Sequence, residues 1–277
     1  MSELAVYRRS RAAEVRRQVG VVGAYFAQFL KMRLAYRVDF FVDLGANLFA
    51  MAVQLTTLSV LFSKVPALQG WSFDQVLFIY GFSLLPLGLF NLVSVNIYRF
   101  AERYIADGHL DRVLLRPLNP LSQVLCESFN TSGLNELLLG TGIMVYAGRH
   151  LELALGPLDV AVLVVLVPSA AVIYASVFLS VTCVSFWYED RMGLAPPIYN
   201  VIRFARYPLT IYGRWVQAFL VFILPFAWVA YIPATWFVGD SEVARWALLT
   251  PLVAALTLGL SLMVWRAGLR RYESTGH

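Results

Sequence analysis

The chain alternates between long uncharged runs and short charged connections. Uncharged runs of 20, 24, 29, 25 and 20 residues lie between consecutive charged residues, at 44–63, 75–98, 160–188, 215–239 and 246–265. About 20 apolar residues in a helix rise roughly 30 Å, which is the thickness of the hydrocarbon core of a bilayer. Each run is therefore long enough to cross a membrane.

Two further segments have the length of a membrane span but carry charges. Segment 121–147 contains Glu127 and Glu136, and segment 192–212 contains Arg203 and Arg206. Seven apolar segments therefore have to be assigned as crossing or not crossing.

The distribution of Lys and Arg orients these segments, because cationic residues near span ends stay on the cytoplasmic side. The region before the first run holds eight of them, the stretch 99–116 holds four and the last twelve residues hold three. The connections around Lys64, Arg149 and Arg245 hold one each. Both termini are therefore expected in the cytoplasm, and the number of full crossings is even, most simply six.

The six predicted spans include one charged segment in preference to one apolar run. They are 40–63, 75–98, 121–147, 159–188, 192–212 and 244–266. Segment 214–239 is expected to enter the outer leaflet and return, since Pro225 and Pro233 interrupt its helix. In the alternative, 189–214 stays cytoplasmic and 215–239 crosses, which keeps Arg203 and Arg206 out of the hydrocarbon.

The first 38 residues are expected to be cytoplasmic or interfacial. Within them, 20–38 has apolar residues at the i, i+3, i+4, i+7 spacing of an amphipathic helix, behind an Arg-rich stretch. Such a helix lies in the membrane interface, where anionic lipids attract the basic residues. It serves either to touch a partner or simply to anchor the chain to the membrane surface.

Composition excludes a soluble enzyme. Hydrophobic residues make up 59% of the chain and charged residues 14%, against about 25% charged in a typical soluble domain. The longest stretch outside the apolar segments is the first forty residues, which leaves no room for a catalytic domain. Residues 1–277 are therefore expected to form one all-α membrane domain.

The motifs of several chemistries are missing from the sequence. A phosphate-binding P-loop ends in Gly-Lys-Ser/Thr, but the two lysines, Lys31 and Lys64, follow Leu30 and Ser63. The three histidines are isolated, so no zinc site is expected. The net charge of +5 lies at the predicted cytoplasmic borders of spans, so it does not indicate nucleic-acid binding.

The connection 99–120 carries the most specific pattern. Residues 99–106 and 109–115 fit two short helices, separated by the turn signal Asp107-Gly108. Apolar side chains at Leu110, Val113 and Leu114 would anchor a soluble partner. The alternative is an amphipathic cytoplasmic hairpin that has no partner.

Two stretches of the chain carry a resemblance to a known family. The pattern DGHLDRVLLRPLNP and the later RYPLTIYGRWVQAFLVFILPFAWVAYIPATWFVG resemble permease subunits of type-2 ABC exporters, the ABC-2 family transporter proteins. The resemblance extends from about Lys31 to Arg271. The polar residues Arg203 and Arg206 depart from what the family leads us to expect of a fifth span.

The resemblance implies a coupling helix after the second span and a re-entrant extracellular hairpin at 214–239. It also implies two ABC ATPase subunits that carry ATP and Mg²⁺, a second permease that is identical or homologous, and a place in the bacterial cytoplasmic (inner) membrane. The substrate class implied is amphipathic or hydrophobic: a lipid, a drug or a secondary metabolite. The residues expected to dock on the ATPase are Arg103, Tyr104, Asp107, Gly108, His109, Leu110, Asp111 and Arg112.

Polar residues within the predicted spans have two interpretations, because a charge at the bilayer centre costs about 2.5 to 3.5 kcal/mol on insertion scales. They line the translocation path, or they hold helices together, with Glu127 or Glu136 paired to Arg203 or Arg206. The residues concerned are Asp43, Asn47, Glu127, Asn130, Glu136, Arg203 and Arg206.

Aromatic residues of the predicted hairpin are candidates for an outer constriction: Trp215, Phe219, Phe222, Phe226 and Trp228. The alternative function is a secondary transporter or channel that is not driven by ATP. That function is typical of repeated halves with broken helices, and the sequence has no strong internal repeat.

Overall fold

The computed structural model describes residues 37–128, 130, 132–188, 194–239 and 241–273. The predicted interface helix at 20–38 lies almost entirely outside these residues, and the side chain of Asp43 is outside the description as well. Within the described ranges every regular element is helical. This confirms the predicted all-α class.

The helices are of very different lengths. In chain order the α-helices are α1 Arg37–Lys64, α2 Phe73–Tyr98, α3 His109–Leu114, α4 Pro120–Cys126, α5 Ser132–His150, α6 Pro157–Thr182, α7 Ala195–Val201, α8 Arg214–Ala218, α9 Tyr231–Val238, α10 Ser241–Ala247 and α11 Thr250–Arg271. Segments Phe100–Ala106 and Phe219–Ile223 are π-helical, and Cys183–Phe186, Ile202–Arg206, Leu209–Ile211 and Phe226–Trp228 are 3₁₀ turns.

Four of the helices described are long and apolar enough to cross a bilayer, and they lie in α1, α2, α6 with its following turn, and α11. A fifth candidate arises if Arg214–Ile223 and Phe226–Val238, which meet at 77°, count as one span. The chain is therefore a multi-pass membrane protein. Helix α5 has 19 residues but carries Glu136 and Arg149, which lower its hydropathy.

Local side-chain bonds define where helices begin. At α2, the Ser72 amide donates to Gln75 Oε1 at 3.0 Å and the Gln75 amide donates to Ser72 Oγ at 3.3 Å, which is a capping box. At α6, the carboxylate of Asp159 accepts a bond from the Gly156 amide at 2.9 Å. Both caps satisfy backbone donors that the first helical turn leaves without partners.

Helices α2 and α5 pack antiparallel with their backbones in contact. Gly81 lies against Gly140, and Gly88 lies against Gly133. A Cβ atom at Gly140 would approach Gly81 O to 2.8 Å, so only glycine permits this separation. Small residues allow such close approach between membrane helices. Helix α5 therefore lies at the same depth as α2, although it carries a carboxylate.

Contacts define two ends of the bundle. At the first, which we call the loop end, Phe100 packs on Phe186 and Trp265 with ring centroids 5.5 and 5.3 Å apart. At the second, the opposite end, Trp236 Nε1 donates to Asp159 Oδ1 at 3.0 Å. Helices α2, α6 and α11 run from the opposite end to the loop end.

Segment 194–212 passes from one end to the other without forming a single helix. Leu194 and Ala101 line one cavity at the loop end. Further along, Arg206 Nη1 donates to Gln54 Oε1 at 3.0 Å, and at the opposite end Trp71 Nε1 donates to Thr210 Oγ1 at 2.9 Å. The predicted span at 192–212 is thus a series of short helical pieces, since Pro208 ends helical structure.

Segment 214–238 enters and leaves at the opposite end. It follows Thr210, reaches inwards until the Phe226 ring lies 5.2 Å from that of Tyr174, and returns so that the Val238 carbonyl accepts from Gln75 Nε2 at 3.5 Å. Tyr174 lies about 22 Å along α6 from Asp159 at 1.5 Å per residue. The segment therefore forms a hairpin that enters the bundle from the opposite end, reaches the depth of Tyr174 and returns to the same end.

The predicted third span, 121–147, is interrupted. Helix α4 ends at Cys126 and α5 begins at Ser132. The Asn130 side chain accepts a bond from the Ser132 amide at 3.0 Å and so caps α5, while Ser128 Oγ donates to Asn96 Oδ1 at 2.6 Å. The break separates Glu127 from α5, so Glu127 and Glu136 do not share one helix.

The glycine contact predicts a sharp difference between two neighbouring glycines of α5. Gly140→Ala should lower the free energy of unfolding by about 1–3 kcal/mol, since the added methyl group forces α2 and α5 apart. Gly142→Ala is the matched control, because a Cβ atom there has nothing within 4 Å. Thermal unfolding of the purified protein in detergent checks this. Equal melting temperatures for the two variants would contradict the close packing.

Candidate functional site

The connection after α2 is a compact loop made of two short helical pieces. The π-helical segment Phe100–Ala106 ends at Asp107, and α3 follows Gly108. Gly108 has φ +67°, in the left-handed region that glycine adopts without strain. The turn predicted at Asp107-Gly108 is therefore present, and it folds α3 back against the first piece.

An apolar cluster fastens this loop to the ends of the long helices. Phe100 and Tyr104 stack with ring centroids 5.4 Å apart, and both are buried. They pack with side chains from the ends of α6 and α11, and the buried members of the cluster are Phe100, Tyr104, Leu110, Val113, Val124, Leu179, Cys183, Phe186 and Trp265. The loop therefore shares one buried cluster with the ends of α6 and α11.

Polar contacts add to this anchor. Arg103 Nη2 and Glu127 Oε1 form an ion pair at 2.7 Å, with each side chain about one third exposed. The hydroxyl of Tyr104 donates to the other oxygen of Glu127. Gln123 Nε2 donates to the carbonyls of Val113 and Leu118, both at 3.1 Å. Glu127 is thus paired with the loop, and not with Arg203 or Arg206 as one interpretation of the sequence had it.

Tyr272, which directly follows α11, also packs against this loop region. The Tyr272 ring lies 6.2 Å from that of Phe186, which belongs to the apolar cluster. Burial, and secondarily the neighbouring Asp111, raise the pKa of the Tyr272 phenol to about 12. The phenol is therefore uncharged at neutral pH where it lies beside Asp111 of the loop.

The surface that the loop presents differs from the predicted one. The side chains of Tyr104, Leu110 and Val113 lie beneath the surface, because they pack within the chain. The exposed side chains include Asp107, Arg112, Leu114, Leu115 and Arg116, with Leu115 85% exposed. Of the predicted docking residues, Arg103, His109 and Asp111 are half-buried. Leu115 was not among the predicted docking residues, although its position five residues after Leu110 lies off the helix face that carries Leu110 and Val113.

A second candidate site lies between α1, α2, α5 and segment 194–212. Two cavities of about 210 and 370 Å³ share Asn47, Glu136 and Tyr199 as lining residues. The larger reaches Arg99 at the loop end, and the smaller reaches Arg206. Both are lined by polar side chains at the depth of the long helices, where polar groups must be enclosed by protein.

Hydrogen bonds hold the polar groups of these cavities in two sets. Asn91 Nδ2 donates to Glu136 Oε2 at 2.7 Å and lies 3.4 Å from the Tyr199 hydroxyl. Arg206 donates to Gln54 Oε1, which also accepts from the Tyr80 hydroxyl. The guanidinium of Arg206 lies 5.8 Å from the centre of the Tyr80 ring. The acid and the base are thus each bonded to a different neutral partner.

The structure brings together only some of the predicted path residues. Asn47, Asn130, Glu136 and Arg206 line the cavities. Arg203 is exposed. The cavity residues that were not predicted include Gln54, Tyr80, Asn135 and Tyr199. Gln54 could have been found, because it lies seven residues after Asn47 on the same face of an otherwise apolar helix.

The predicted outer constriction does not form one cluster. Trp215, Phe219 and Phe222 are exposed, with Trp215 91% exposed, whereas Phe226 is fully buried against Tyr174 and Trp228 is half-buried. The hairpin therefore carries its aromatic residues on two faces, and only the face with Phe226 packs on the bundle.

Comparison with protein families supports the resemblance seen in the sequence. A model of the family described as ABC-2 family transporter protein matches residues 48–276, which include both candidate sites. No curated protein and no solved structure matches the chain significantly.

The ion pair beneath the loop yields a prediction. Glu127→Gln should weaken the loop anchor by about 1–2 kcal/mol, so amides of 100–114 should exchange hydrogen roughly 5 to 30 times faster. Glu102→Gln is the control, because its pair with Arg99, at 3.6 Å, is more than half exposed. Hydrogen exchange read by mass spectrometry checks this, and equal exchange in the two variants would show that Glu127 does not hold the loop.

Proposed function

The chain belongs to the ABC-2 family of transporter proteins, and we propose that it is the permease subunit of an ATP-driven exporter. The family match covers most of the chain and makes it a membrane component of a transporter rather than an enzyme. The loop 99–120 supports the proposal further. Its buried side packs on the ends of α6 and α11, and its exposed side presents charged and apolar side chains.

The loop has the properties of a coupling element. Its buried face is continuous with the ends of α6 and α11 through Phe186 and Trp265. Its exposed face offers Leu114 and Leu115 between Arg112 and Arg116. A motor that binds this face and moves would therefore tilt the helices, because the contacts below the loop are tightly packed. Coupling requires that both arrangements differ in contact free energy at the motor and at the path.

The proposed motor is a pair of ABC ATPase subunits, one at each of two permease chains. ATP and Mg²⁺ belong to those subunits. The second permease is a copy of this chain or a homologue. Exposed apolar residues on α1 and α11, such as Phe49 and Leu256, supply the surfaces that lipids and the second permease cover.

The proposed topology has six crossings with both termini in the cytoplasm. Its support is the order of contacts along the chain: segment 194–212 links the loop end to the opposite end, and segment 214–238 returns to the end at which it began. The loop end would then face the cytoplasm, where its arginines are favoured by the positive-inside rule. We place the protein in the bacterial inner membrane.

The proposed substrate is amphipathic or hydrophobic and moves outwards. The polar cavities at Glu136 and Arg206 support a path for a molecule with a polar group, since charged residues at membrane depth are costly and mark substrate pathways in many transporters. A secondary transporter remains the alternative function, because segment 194–212 is a broken crossing that carries charges, as in that class.

The exposed face of the loop yields the test. Leu115→Asp combined with Arg112→Glu should abolish copurification of the ATPase subunit from native membranes and the stimulation of its ATP hydrolysis. An acidic group on the apolar face and a reversed charge beside it oppose docking without disturbing the buried cluster.

Leu155→Asp is the matched control, because Leu155 is exposed at the opposite end of the bundle. The control should retain the ATPase. Absence of any ATP-hydrolysing subunit from the wild-type preparation, or export that continues in the double variant, would favour the secondary transporter instead.

A further inference from the structure

The smaller cavity holds an acid and a base that are not bonded to each other. Glu136 is held by Asn91, and Arg206 is held by Gln54, yet both side chains line the same space of about 210 Å³. Two opposite charges that only hold helices together would be expected to pair directly, since that recovers most of the cost of removing them from water. Here the space between them is left open.

Hydrogen-bond donors around this cavity lack acceptors within the described chain. Arg206 Nε and Asn135 Nδ2 are buried without a hydrogen-bond partner, and the Asn135 side chain belongs to a residue only 3% exposed. Both residues line the cavity. A buried donor left without an acceptor costs about 1–3 kcal/mol, so two of them at one cavity favour the binding of an acceptor group there.

The charge balance of the cavity restricts what that group belongs to. Among the described residues that line the cavity, Glu136 and Arg206 carry opposite formal charges that cancel, and a purely anionic ligand would leave an excess charge in a poorly polarisable setting. A ligand with separated opposite charges keeps the site neutral and satisfies both ends. Its acceptor group would lie at Arg206 and Asn135, and its cationic group at Glu136.

We propose that this cavity binds the head group of a zwitterionic amphiphile, the anionic part at Arg206 and Asn135 and the cationic part at Glu136. The position supports an amphiphile, because Glu136 lies on α5 between the glycines that contact α2, at the depth of the long helices. The adjoining cavity of about 370 Å³ gives room for a larger head group. The proposal names the substrate class of the proposed exporter and rests on that function.

Binding is measured on the purified chain in maltoside detergent without any ATPase, so a failure here is separate from a failure of coupling. The probes share one octyl tail: octylphosphocholine, octyl sulfate and octyltrimethylammonium, each titrated by calorimetry against protein and against empty micelles. Octylphosphocholine should bind most tightly. Arg206→Gln should weaken the binding of octylphosphocholine and of octyl sulfate at least tenfold. Glu136→Gln should weaken the binding of octylphosphocholine and of octyltrimethylammonium.

Arg203→Gln is the matched control, because Arg203 lies in the same 3₁₀ turn but is exposed. It should leave all three affinities unchanged. Melting temperatures measured without probe show whether each variant folds. If Arg206→Gln does not fold, the nearly isosteric Glu136→Gln still tests the proposal on its own. Equal affinity for the three probes, no binding above micelles, or an equal loss in Arg203→Gln would overturn the proposal and leave the cavity a water-filled packing defect.

Discussion

A polar group within a bilayer must be enclosed by protein, and this constraint shapes the whole chain. Helix α5 can carry Glu136 because paired glycines bring its backbone against α2, where Asn91 donates to the carboxylate. Segment 194–212 can carry Arg206 because Gln54 of α1 and Tyr80 of α2 enclose it. Its backbone is irregular, and such backbone is tolerated at this depth only against protein or water. The polar cavities are the space that this enclosure leaves.

The loop after α2 follows from the same packing. Helices α2, α6 and α11 end on the same side of the bundle, and Phe100 packs there on Phe186, which follows α6, and on Trp265 of α11. Glu127 then closes the loop from the side, since the break between α4 and α5 frees it from the helix. The result is an element whose inner face shares a core with the membrane helices, while its outer face is exposed. The proposed coupling to a motor depends on this shared core.

Much of the architecture could be predicted from the sequence, but details that depend on tertiary contacts could not. Long uncharged runs predicted α1, α2, α6 and α11, because length and hydropathy are local properties. The interruption between α4 and α5 was not predicted, because it depends on two tertiary and local contacts. Asn130 caps α5, and Ser128 donates a hydrogen bond to Asn96 of α2. The apolar pattern of the loop was recognised, but periodicity does not tell whether Leu110 faces a partner or the chain's own core. Only the packed structure distinguishes these.

The proposed topology requires that segment 194–212 crosses the membrane and that segment 214–238 returns to the side from which it enters. Gly213 lies between them, and a side chain there would meet nothing within 4 Å. The most direct test labels single cysteines with a membrane-impermeant maleimide in intact cells, on a background in which Cys126 and Cys183 are replaced. We expect Gly213→Cys and Leu155→Cys to be labelled from outside the intact cell. Leu115→Cys should be labelled only after permeabilisation. Labelling of Gly213→Cys on the same side as Leu115→Cys would contradict the proposed topology.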